Sequence, residues 1–424
     1  MTQEIVETET RIPSDIRRSV IDRWTRSRVH SSLAKLQSGE ITLVDGPERT
    51  CLGNPLAALR TTVYVEDPRF YRALALHGSL GGAEAFMDGY WRCDDLSTLI
   101  RILAKGHKAR SGLNGGAARW RRPALAIYHA LRRNTKSGSQ RNIAAHYDLG
   151  NEFFQLFLDP TLTYSSGIFE TPEATMEEAS TAKYERLCQK LRLAPEDHVL
   201  EIGTGWGGFA LHAAGRHGCR VTTTTISRSQ YELACKRVEQ AGLSDRIEVL
   251  LEDYRDLSGS YDKLVSIEMI EAVGHEQLET FFDVCGERLK PDGVMVLQGI
   301  TVPDKDFEAH TRSIDFIKRY IFPGGELVSV GSMNDAASCA SSLRMTHLED
   351  LTPHYAETLR RWRSRMFENL PRMRDLGLDD RFLRMWEFYL CYCEGGFEER
   401  SIGLVQAVFE NPGARRELVL GSLG

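Results

Sequence analysis

The sequence of 424 residues predicts a parallel, doubly wound α/β sheet that is preceded by a small α+β module. From about residue 142 onward, short apolar runs typical of buried strands alternate with longer helical segments, and this alternation favours a parallel sheet. A glycine-rich turn directly follows the first of these runs. The preceding part of the chain mixes short strand and helix patterns instead. At this length, two domains are expected.

Residues 1–104 are expected to form the small α+β module. The alternation of Val63 and Val65 predicts a strand. A helix is expected around residues 70–76, and a second helical pattern follows Gly81 and Gly82. A module of this size is too small to contain a cofactor-binding fold of its own.

A basic segment, residues 105–141, separates this module from the rest of the chain and contains no Asp or Glu. Apolar residues between Trp120 and Leu131 are interleaved with its cations, which predicts an amphipathic helix lying on an anionic membrane surface. The alternative is a solvated linker whose amphipathic helix packs on the next domain. The cations are Lys105, Lys108, Arg110, Arg119, Arg121, Arg122, Arg132, Arg133, Lys136 and Arg141.

The composition of the chain indicates which binding partners and which cellular compartment to expect. A net charge of −6 and a pI near 6.1 argue against general nucleic-acid binding, so no nucleic-acid partner is expected. None of the nine cysteines forms a CxxC pair, which predicts reduced thiols and no metal site. We find no signal-peptide pattern and no apolar run of about 18 residues. We therefore expect a cytoplasmic protein that associates peripherally with the inner face of the cell membrane.

Residues 142–424 are expected to form the larger α/β domain. Its apolar runs have the length and bounding turns of strands. The predicted strands lie within residues 198–203, 219–227, 247–253, 262–269, 293–300, 344–351 and 404–410.

A candidate ligand site follows from what stands at the ends of the first three predicted strands. Gly203 and Gly205 form a GxGxGG turn after the first strand, where the backbone must turn tightly and approach a ligand closely. Polar or aromatic residues follow the second and third strands. Ligands of open α/β sheets bind at this edge, so these residues are expected to meet there. They are Thr225, Ile226, Gln230, Asp253 and Tyr254.

Several long motifs resemble those of the cyclopropane-fatty-acyl-phospholipid synthase family, which includes the mycolic acid cyclopropane synthases. In the larger domain these are HYDLGNEFFQLFLDPTLTYSSGIF (146–169), VLEIGTGWGGFA (199–210), TISRSQYELA (225–234), LLEDYRDL (250–257), SIEMIEAVG (266–274) and KRYIFPGG (318–325). The motif GSLGGAEAFMDGYWRCDDL (78–96) extends the resemblance into the N-terminal module. The match in the N-terminal module points to the phospholipid-acting synthases, because the mycolic acid enzymes are shorter.

The resemblance implies a Rossmann-like class I methyltransferase fold and S-adenosylmethionine as cofactor. It implies that the substrate is an unsaturated phospholipid in an anionic membrane surface, and that the N-terminal module engages lipid and mediates a homodimer. The cofactor-binding residues that it implies are Tyr164, Ser165, Gly203, Gly205, Thr225, Ile226, Gln230, Asp253 and Tyr254.

The implied reaction begins when a cis alkene attacks the sulfonium methyl group, which gives a carbocation that must be shielded from water. Aromatic rings favour such a cation, and Tyr164, Phe169, Tyr320, Phe322 and Trp386 are candidates for this role. A base then removes a proton. In the family this base is a bound bicarbonate.

Five residues correspond to the bicarbonate ligands of the family. Glu271, Ile300 and Tyr355 match the family pattern, whereas Ser166 replaces a cysteine and Gln298 replaces a histidine. Serine keeps a hydroxyl donor and the backbone amide. Glutamine cannot carry charge or titrate, so weaker binding of bicarbonate is expected. Glu271 could itself act as the base, since burial raises the pKa of a carboxyl group.

The expected product is a cyclopropane fatty acyl chain. The two departures at Ser166 and Gln298 keep an alternative open, in which the same methyl transfer gives a methyl-branched or methylene acyl chain without ring closure. Two other classes also stay open: a methyltransferase acting on a small molecule, a protein or RNA, and a non-catalytic lipid-binding protein. The intact glycine turn argues against the latter class.

Overall fold

The structure, a computed structural model, describes residues 20–106 and 150–415. Its contacts group these residues into two compact units. The first unit comprises residues 20–106, 314–321 and 359–401, and the second comprises residues 150–313, 322–358 and 402–415. Most of the basic segment, residues 107–141, lies outside the described residues. The division of the chain into three domains therefore stays a prediction.

The first unit contains a four-stranded sheet with the order β2-β1-β3-β4. A hairpin joins β1 and β2, whereas β1 and β3 run parallel and β4 pairs antiparallel with β3. Strand β3 includes the predicted Val63 and Val65. The bounds are β1 Glu40–Asp45, β2 Glu48–Gly53, β3 Arg60–Val65 and β4 Trp91–Cys93.

Helices of the first unit come from both ends of the chain. Helix α2 spans the two predicted helical patterns and is interrupted at Gly78, whose φ of 64° and ψ of −147° are not helical. The C-terminal helix α13 packs against α2 and α3. The rings of Phe86 and Phe388 lie 5.7 Å apart, and Arg101 pairs with Glu399 at 2.7 Å. The helices are α1 Val20–Leu33, α2 Arg69–Met87, α3 Leu96–Lys105, α12 Leu370–Asp375 and α13 Asp380–Glu398.

The second unit contains a seven-stranded sheet with the order β10-β11-β9-β8-β5-β6-β7. All seven predicted strands are present. The neighbouring strands from β9 through β8, β5 and β6 to β7 are parallel, as predicted, but β11 is antiparallel to both of its neighbours. The bounds are β5 His198–Ile202, β6 Arg220–Thr225, β7 Ile247–Leu251, β8 Tyr261–Ile267, β9 Leu289–Thr301, β10 Arg344–Asp350 and β11 Gly403–Glu410.

Both faces of this sheet are covered, because successive side chains of a strand point to opposite sides. Val199 belongs to one buried cluster with residues of α5 and α6, and Leu200 belongs to a second cluster with residues of α8 and α10. This explains why the strands read as continuous apolar runs. The helices of this unit are α4 Asn151–Gln155, α5 Met176–Leu191, α6 Gly208–His212, α7 Arg228–Gln240, α8 Leu278–Arg288, α9 Asp304–Thr311 and α10 Val330–Ala340.

Capping residues, which are local sequence signals, stand at the start of two helices of the second unit. Thr175 and Glu178 form a reciprocal capping box at the start of α5, and Ser227 caps α7 through the amide of Gln230. Helix α11 (Thr352–Glu368) contributes residues 352–358 to the second unit. Within the described residues, no helix is long and apolar enough to cross a membrane.

Candidate functional site

The glycine turn after β5 has the backbone conformation that its sequence predicts. Gly203 has a φ of 105° and Gly205 a φ of 52°, which are values that residues with a side chain rarely adopt. A Cβ at Gly203 would lie 3.2 Å from Met269. The amides of Gly203 and Thr204 both donate to the carbonyl of Thr224, so the turn is tied to β6.

A buried carboxyl group, that of Glu201, is linked to this turn through hydroxyl groups. The hydroxyl of Thr223 donates to Glu201 at 2.6 Å and also contacts the hydroxyl of Thr204 at 2.7 Å. Burial raises the pKa of Glu201 to about 8, against the opposing effect of the Thr223 hydrogen bond. The acid two residues before the first glycine is therefore part of the scaffold of the turn.

The residues predicted at the next two strand ends lie on the same edge of the sheet. The hydroxyl of Thr225 donates to the amide oxygen of Gln230 at 2.9 Å, which orients that side chain, and Ile226 is half-buried beside it. Asp253 accepts three hydrogen bonds from Arg255. The ring of Tyr254 packs edge-on against a core phenylalanine at 5.6 Å.

Tyr164 and Ser165 lie in the loop between α4 and α5. The ring of Tyr164 is 5.3 Å from Phe154 and 6.3 Å from Phe322, within an aromatic group that also includes Trp206. The hydroxyl of Ser165 accepts a hydrogen bond of 2.8 Å from the fully buried amine of Lys183. The loop thus presents aromatic faces beside a buried cation.

The five predicted aromatic candidates do not all belong to this group. Phe169 stacks with His354 instead, with ring centroids 6.4 Å apart. Tyr320 and Trp386 belong to the first unit, where the hydroxyl of Tyr320 donates to Glu84 at 2.9 Å. Tyr164 and Phe322 are the two candidates that lie together in the second unit.

The most informative feature of the site is a glutamate that the sequence analysis missed. Three donors converge on the carboxylate of Glu268, a half-buried residue whose carboxylate is desolvated. The amide of Ser166 and the side-chain amide of Gln298 donate to one oxygen at 2.9 and 2.7 Å. The hydroxyl of Tyr355 donates to the other oxygen at 2.6 Å. Three of the five predicted catalytic residues therefore meet on this carboxylate.

Glu268 reaches this position through an unusual backbone conformation. It follows β8 directly and has a φ of 49°, in the left-handed region that non-glycine residues avoid. Its amide donates to the carbonyl of Gln298 at 2.8 Å. The signal that could have found it is its place in SIEMIEAVG, because an acid at the carboxyl end of a parallel strand faces the ligand edge.

Ser166 contributes to the site through its backbone. Its hydroxyl donates to the carbonyl of Gly167 at 3.0 Å, while its amide donates to Glu268. The hydroxyl of Thr358 in turn accepts from the amide of Gly167 at 3.1 Å, which holds the loop against α11. Of the two donors that the sequence offers at this position, the backbone amide is therefore the one directed at the carboxylate.

Glu271 and Ile300, the other two predicted catalytic residues, are hydrogen-bonded to each other. One carboxyl oxygen of Glu271 accepts a hydrogen bond of 2.5 Å from the amide of Ile300. The other oxygen is buried and has no hydrogen-bond partner among the described residues. Burial and the neighbouring charge of Glu268 together raise the pKa of Glu271 to about 8.

The two glutamates therefore differ in the charge they favour. Burial also raises the pKa of Glu268, but the hydrogen bonds from Tyr355, Gln298 and Ser166 oppose this rise, as does the charge of Lys183. Adjacent carboxyl groups with different environments take different protonation states. Glu268 is the better stabilised carboxylate, and Glu271 favours the neutral acid.

A chain of amides fixes the orientation of Gln298. The amine of Lys190 can only donate, and it donates to the side-chain oxygen of Gln406 at 2.6 Å. Gln406 must then donate through its nitrogen, and it does so to the oxygen of Gln298 at 2.8 Å. The nitrogen of Gln298 consequently faces Glu268 as a donor.

The implied bicarbonate does not fit this arrangement. The donors at Ser166, Gln298 and Tyr355 already bind the carboxylate of Glu268. A further anion would also lie beside the ionised carboxylate of Glu268, within a desolvated region where like charges repel strongly. We therefore route no step through bicarbonate.

A cluster of potential metal ligands lies on α5, at the end of α6 and in the turn that follows α6. Cys188, His212 and His217 each place one ligand atom within 4.8 Å of the others. Both histidines contact Glu185 at 3.2 Å, and Arg216 pairs with the same carboxylate oxygen at 3.2 Å. The arginine supplies the positive charge there, so we interpret the cluster as an ion-pair network.

Comparison with known proteins places this site in a family. The sequence profile of the mycolic acid cyclopropane synthetase family matches residues 134–407. This chain belongs to that family. Tuberculostearic acid methyltransferase UfaA1 of Mycobacterium tuberculosis is 38% identical over 343 residues, which are 79% of each chain. Cyclopropane-fatty-acyl-phospholipid synthase of Escherichia coli is 35% identical over 349 residues, 82% of this chain and 87% of that one.

Solved structures confirm the fold class. Mycolic acid cyclopropane synthase CmaA1, complexed with SAH and CTAB, aligns with a TM-score of 0.59 and 32% identity, over 64% of this chain and 98% of that one. This member of the cyclopropane synthetase family is thus a class I methyltransferase that uses S-adenosylmethionine. The family modifies lipids.

Proposed function

We propose that this enzyme transfers the methyl carbon of S-adenosylmethionine to the cis double bond of an unsaturated phospholipid acyl chain. The observation that carries the proposal is the buried carboxylate of Glu268, held by three donors beside the aromatic-lined loop of Tyr164. An alkene reacting with a sulfonium needs this combination. Aromatic faces favour the carbocation, and a buried base removes its proton.

The proposed cofactor contacts are those at the glycine turn and the neighbouring strand ends. S-adenosylmethionine supplies an electrophilic methyl group when it is bound. Gly203 and Gly205 leave room for its close approach, and Gln230 is already oriented by Thr225. Asp253 and Tyr254 stand at the adjacent strand end, where they would bind the adenine. Tyr164 and Ser165 would close the site from the opposite loop.

The product we expect is a cyclopropane fatty acyl chain, as in the E. coli relative's name. Ring closure requires that a base take a proton from the newly added methyl group. The buried carboxylate of Glu268 keeps a base in the site even though Gln298 stands in place of the family histidine. Cyclopropanation is thus compatible with both departures from the family pattern.

A second product is favoured by a specific observation. The relative with 38% identity is named a tuberculostearic acid methyltransferase, and this chain departs from the family pattern at Ser166 and Gln298. If the carbocation rearranges before the proton leaves, the same methyl transfer gives a methyl-branched or methylene acyl chain. Both products gain one carbon from the cofactor.

We further propose that the enzyme reaches its substrate from an anionic membrane surface, as a peripheral cytoplasmic protein and a homodimer. The basic segment 105–141 supports this proposal, because each cation near an anionic surface contributes about 1 kcal/mol of attraction. The N-terminal module is proposed to engage lipid and the second copy.

The test is to incubate the purified enzyme with S-adenosylmethionine and vesicles of a cis-monounsaturated phospholipid, and then to analyse the acyl chains by mass spectrometry and proton NMR. Gain of one carbon with loss of olefinic protons and appearance of upfield ring protons is the expected result. The same gain with olefinic protons retained or shifted establishes the second product. Unchanged acyl chains would contradict both.

A further inference from the structure

The carboxylate of Glu268 lies where the donors of an anion site converge. We infer that Glu268 replaces the bound bicarbonate of the family and is itself the base that accepts a proton from the methylated acyl chain. This inference rests on the proposed function and deepens it. It assigns the proton acceptor to a side chain of the enzyme instead of an anion taken from solution.

The geometry matches the shape of the anion that it replaces. A carboxylate and a bicarbonate share a planar pair of oxygens. Here one oxygen accepts from two donors, at 2.9 and 2.7 Å, and the other accepts from the hydroxyl of Tyr355 at 2.6 Å. The donors come from three separate elements: the loop at Ser166, strand β9 and helix α11. Such convergence on one buried carboxylate forms a built anion site.

The backbone of Glu268 gives a second, independent observation. A left-handed conformation is strained for any residue other than glycine. Glu268 adopts this conformation directly after β8, and the three donors hold its carboxylate. Strain of this kind persists where the surrounding contacts impose it, and it concentrates at functional sites.

The ionised carboxylate of Glu268 makes a solvent anion unfavourable in the same space. The charge of Glu268 already raises the pKa of Glu271, whose second oxygen is buried and has no hydrogen-bond partner in the part of the chain that the structure describes. Adding bicarbonate would place a third acidic group among them. Lys183 is the buried cation whose charge favours ionised Glu268, and one cation cannot balance further negative charge.

The step balances without another reactant. The alkene forms a carbon–carbon bond to the methyl group as the carbon–sulfur bond breaks, which leaves S-adenosylhomocysteine and a carbocation on the acyl chain. Glu268 accepts a proton from that cation. The electron pair of the broken C–H bond closes the ring, or forms a double bond in the second product. Neutral Glu268 then returns its proton to water.

The experiment compares the wild-type enzyme with E268Q and E268G in buffers depleted of bicarbonate and then supplemented with sodium bicarbonate. Wild type is expected to be fully active without bicarbonate. E268Q is expected to lose about 10²- to 10⁴-fold in kcat, which is the usual contribution of a general base. E268G relieves the backbone strain and vacates the three donors, so its activity is expected to return when bicarbonate is added.

Two measurements separate this role from misfolding and from failure of the proposed function. Calorimetric binding of S-adenosylmethionine is expected to be unchanged in E268Q, E268G and the matched control E326Q. Glu326 is another buried glutamate of the second unit, and its carboxylate accepts from the amide of His275 at 2.9 Å, so E326Q should also keep its activity. Calorimetry with sodium bicarbonate is expected to show binding to E268G and none to wild type. This readout stands even if wild type methylates no lipid, an outcome that would refute the proposed function alone. Bicarbonate binding to wild type, stimulation of wild type by bicarbonate, or an active E268Q would overturn the inference.

Discussion

At the scale of single residues, the site depends on how donors are distributed between two buried carboxyl groups. Glu268 accepts from three groups, whereas Glu271 accepts from the amide of Ile300 through one oxygen only. Each hydrogen bond to the ionised form lowers a carboxyl pKa. The asymmetry makes Glu268 the base and Glu271 its neutral neighbour.

Removal of one donor tests this assignment. Y355F removes the hydroxyl that donates to Glu268, and a hydrogen bond to a charged group contributes about 1.5–3 kcal/mol, so kcat is expected to fall about 10- to 100-fold. Losing this donor also raises the pKa of Glu268, which faces Glu271 and Lys183. The acidic limb of the kcat/KM profile should therefore move to higher pH. An unmoved limb in Y355F would show that Tyr355 does not set the ionisation of the base.

Glu271 is expected to make stability depend on pH. Its folded pKa of about 8 exceeds the ordinary value of 4.5. The stability that it contributes is therefore complete below pH 4.5 and is lost as the pH rises through 8, by at most about 1.4 kcal/mol per pH unit. Relative to E271Q, wild type should lose thermal stability between pH 5 and 8, as measured by calorimetry. A constant Tm difference across that range would show that Glu271 is ionised throughout.

At the scale of elements, the edge of the sheet that we propose to bind the cofactor depends on turns that favour glycine. The turn after β5 combines positive φ with a close neighbour, since a Cβ at Gly203 would approach Met269 at 3.2 Å. Gly242, which follows α7, has a φ of 67° and no atom within 4 Å of an added Cβ. These two glycines separate backbone strain from crowding at the site.

G203A is accordingly expected to weaken binding of S-adenosylmethionine at least tenfold, about 1.4 kcal/mol, because the turn must shift away from Met269. G242A carries backbone strain without that contact, so its cofactor affinity should equal that of wild type. Calorimetric titration of both variants decides the matter. Equal weakening in the two would attribute the loss to general destabilisation.

Most of the second unit could be predicted from the sequence, because strand length, glycine turns and capping residues are local signals. The reversed direction of β11 could not, since an apolar run is equally consistent with either direction. Ser166, Gln298 and Tyr355 were predicted as a group from the family motifs. Glu268 was missed although its place at the end of β8 was visible in the sequence, because its left-handed backbone and the convergence of three donors on it are tertiary features.

At the scale of the whole molecule, chain order and spatial grouping differ. Residues 359–401 belong to the same compact unit as the N-terminal residues, and α13 packs there against α2 and α3. No local signal in the sequence predicts this grouping, because the amphipathic pattern of a helix shows that one face packs but does not show against which element. The amphipathic helix in the basic segment 105–141 and its contact with a membrane remain predictions from the sequence.

The membrane role of that segment can be tested by liposome flotation. The double variants R121E/R122E and R132E/R133E are each expected to bind anionic vesicles at least tenfold more weakly than wild type, since each cation contributes about 1 kcal/mol. R372E/R374E, which reverses two exposed charges on α12, is the matched control and should bind normally. Equal binding by all variants would rule out the segment as the membrane contact.

The most direct test of the central claim is to follow the methyl group itself. The enzyme is incubated with S-adenosylmethionine that carries a deuterated methyl group, in parallel with vesicles of a cis-monounsaturated phospholipid and of its saturated counterpart, and the acyl chains are analysed by mass spectrometry. Lipid alkene methylation predicts deuterium at the former double bond of the unsaturated chain and none in the saturated one. Deuterium in the headgroup, in both lipids equally, or in neither would contradict it.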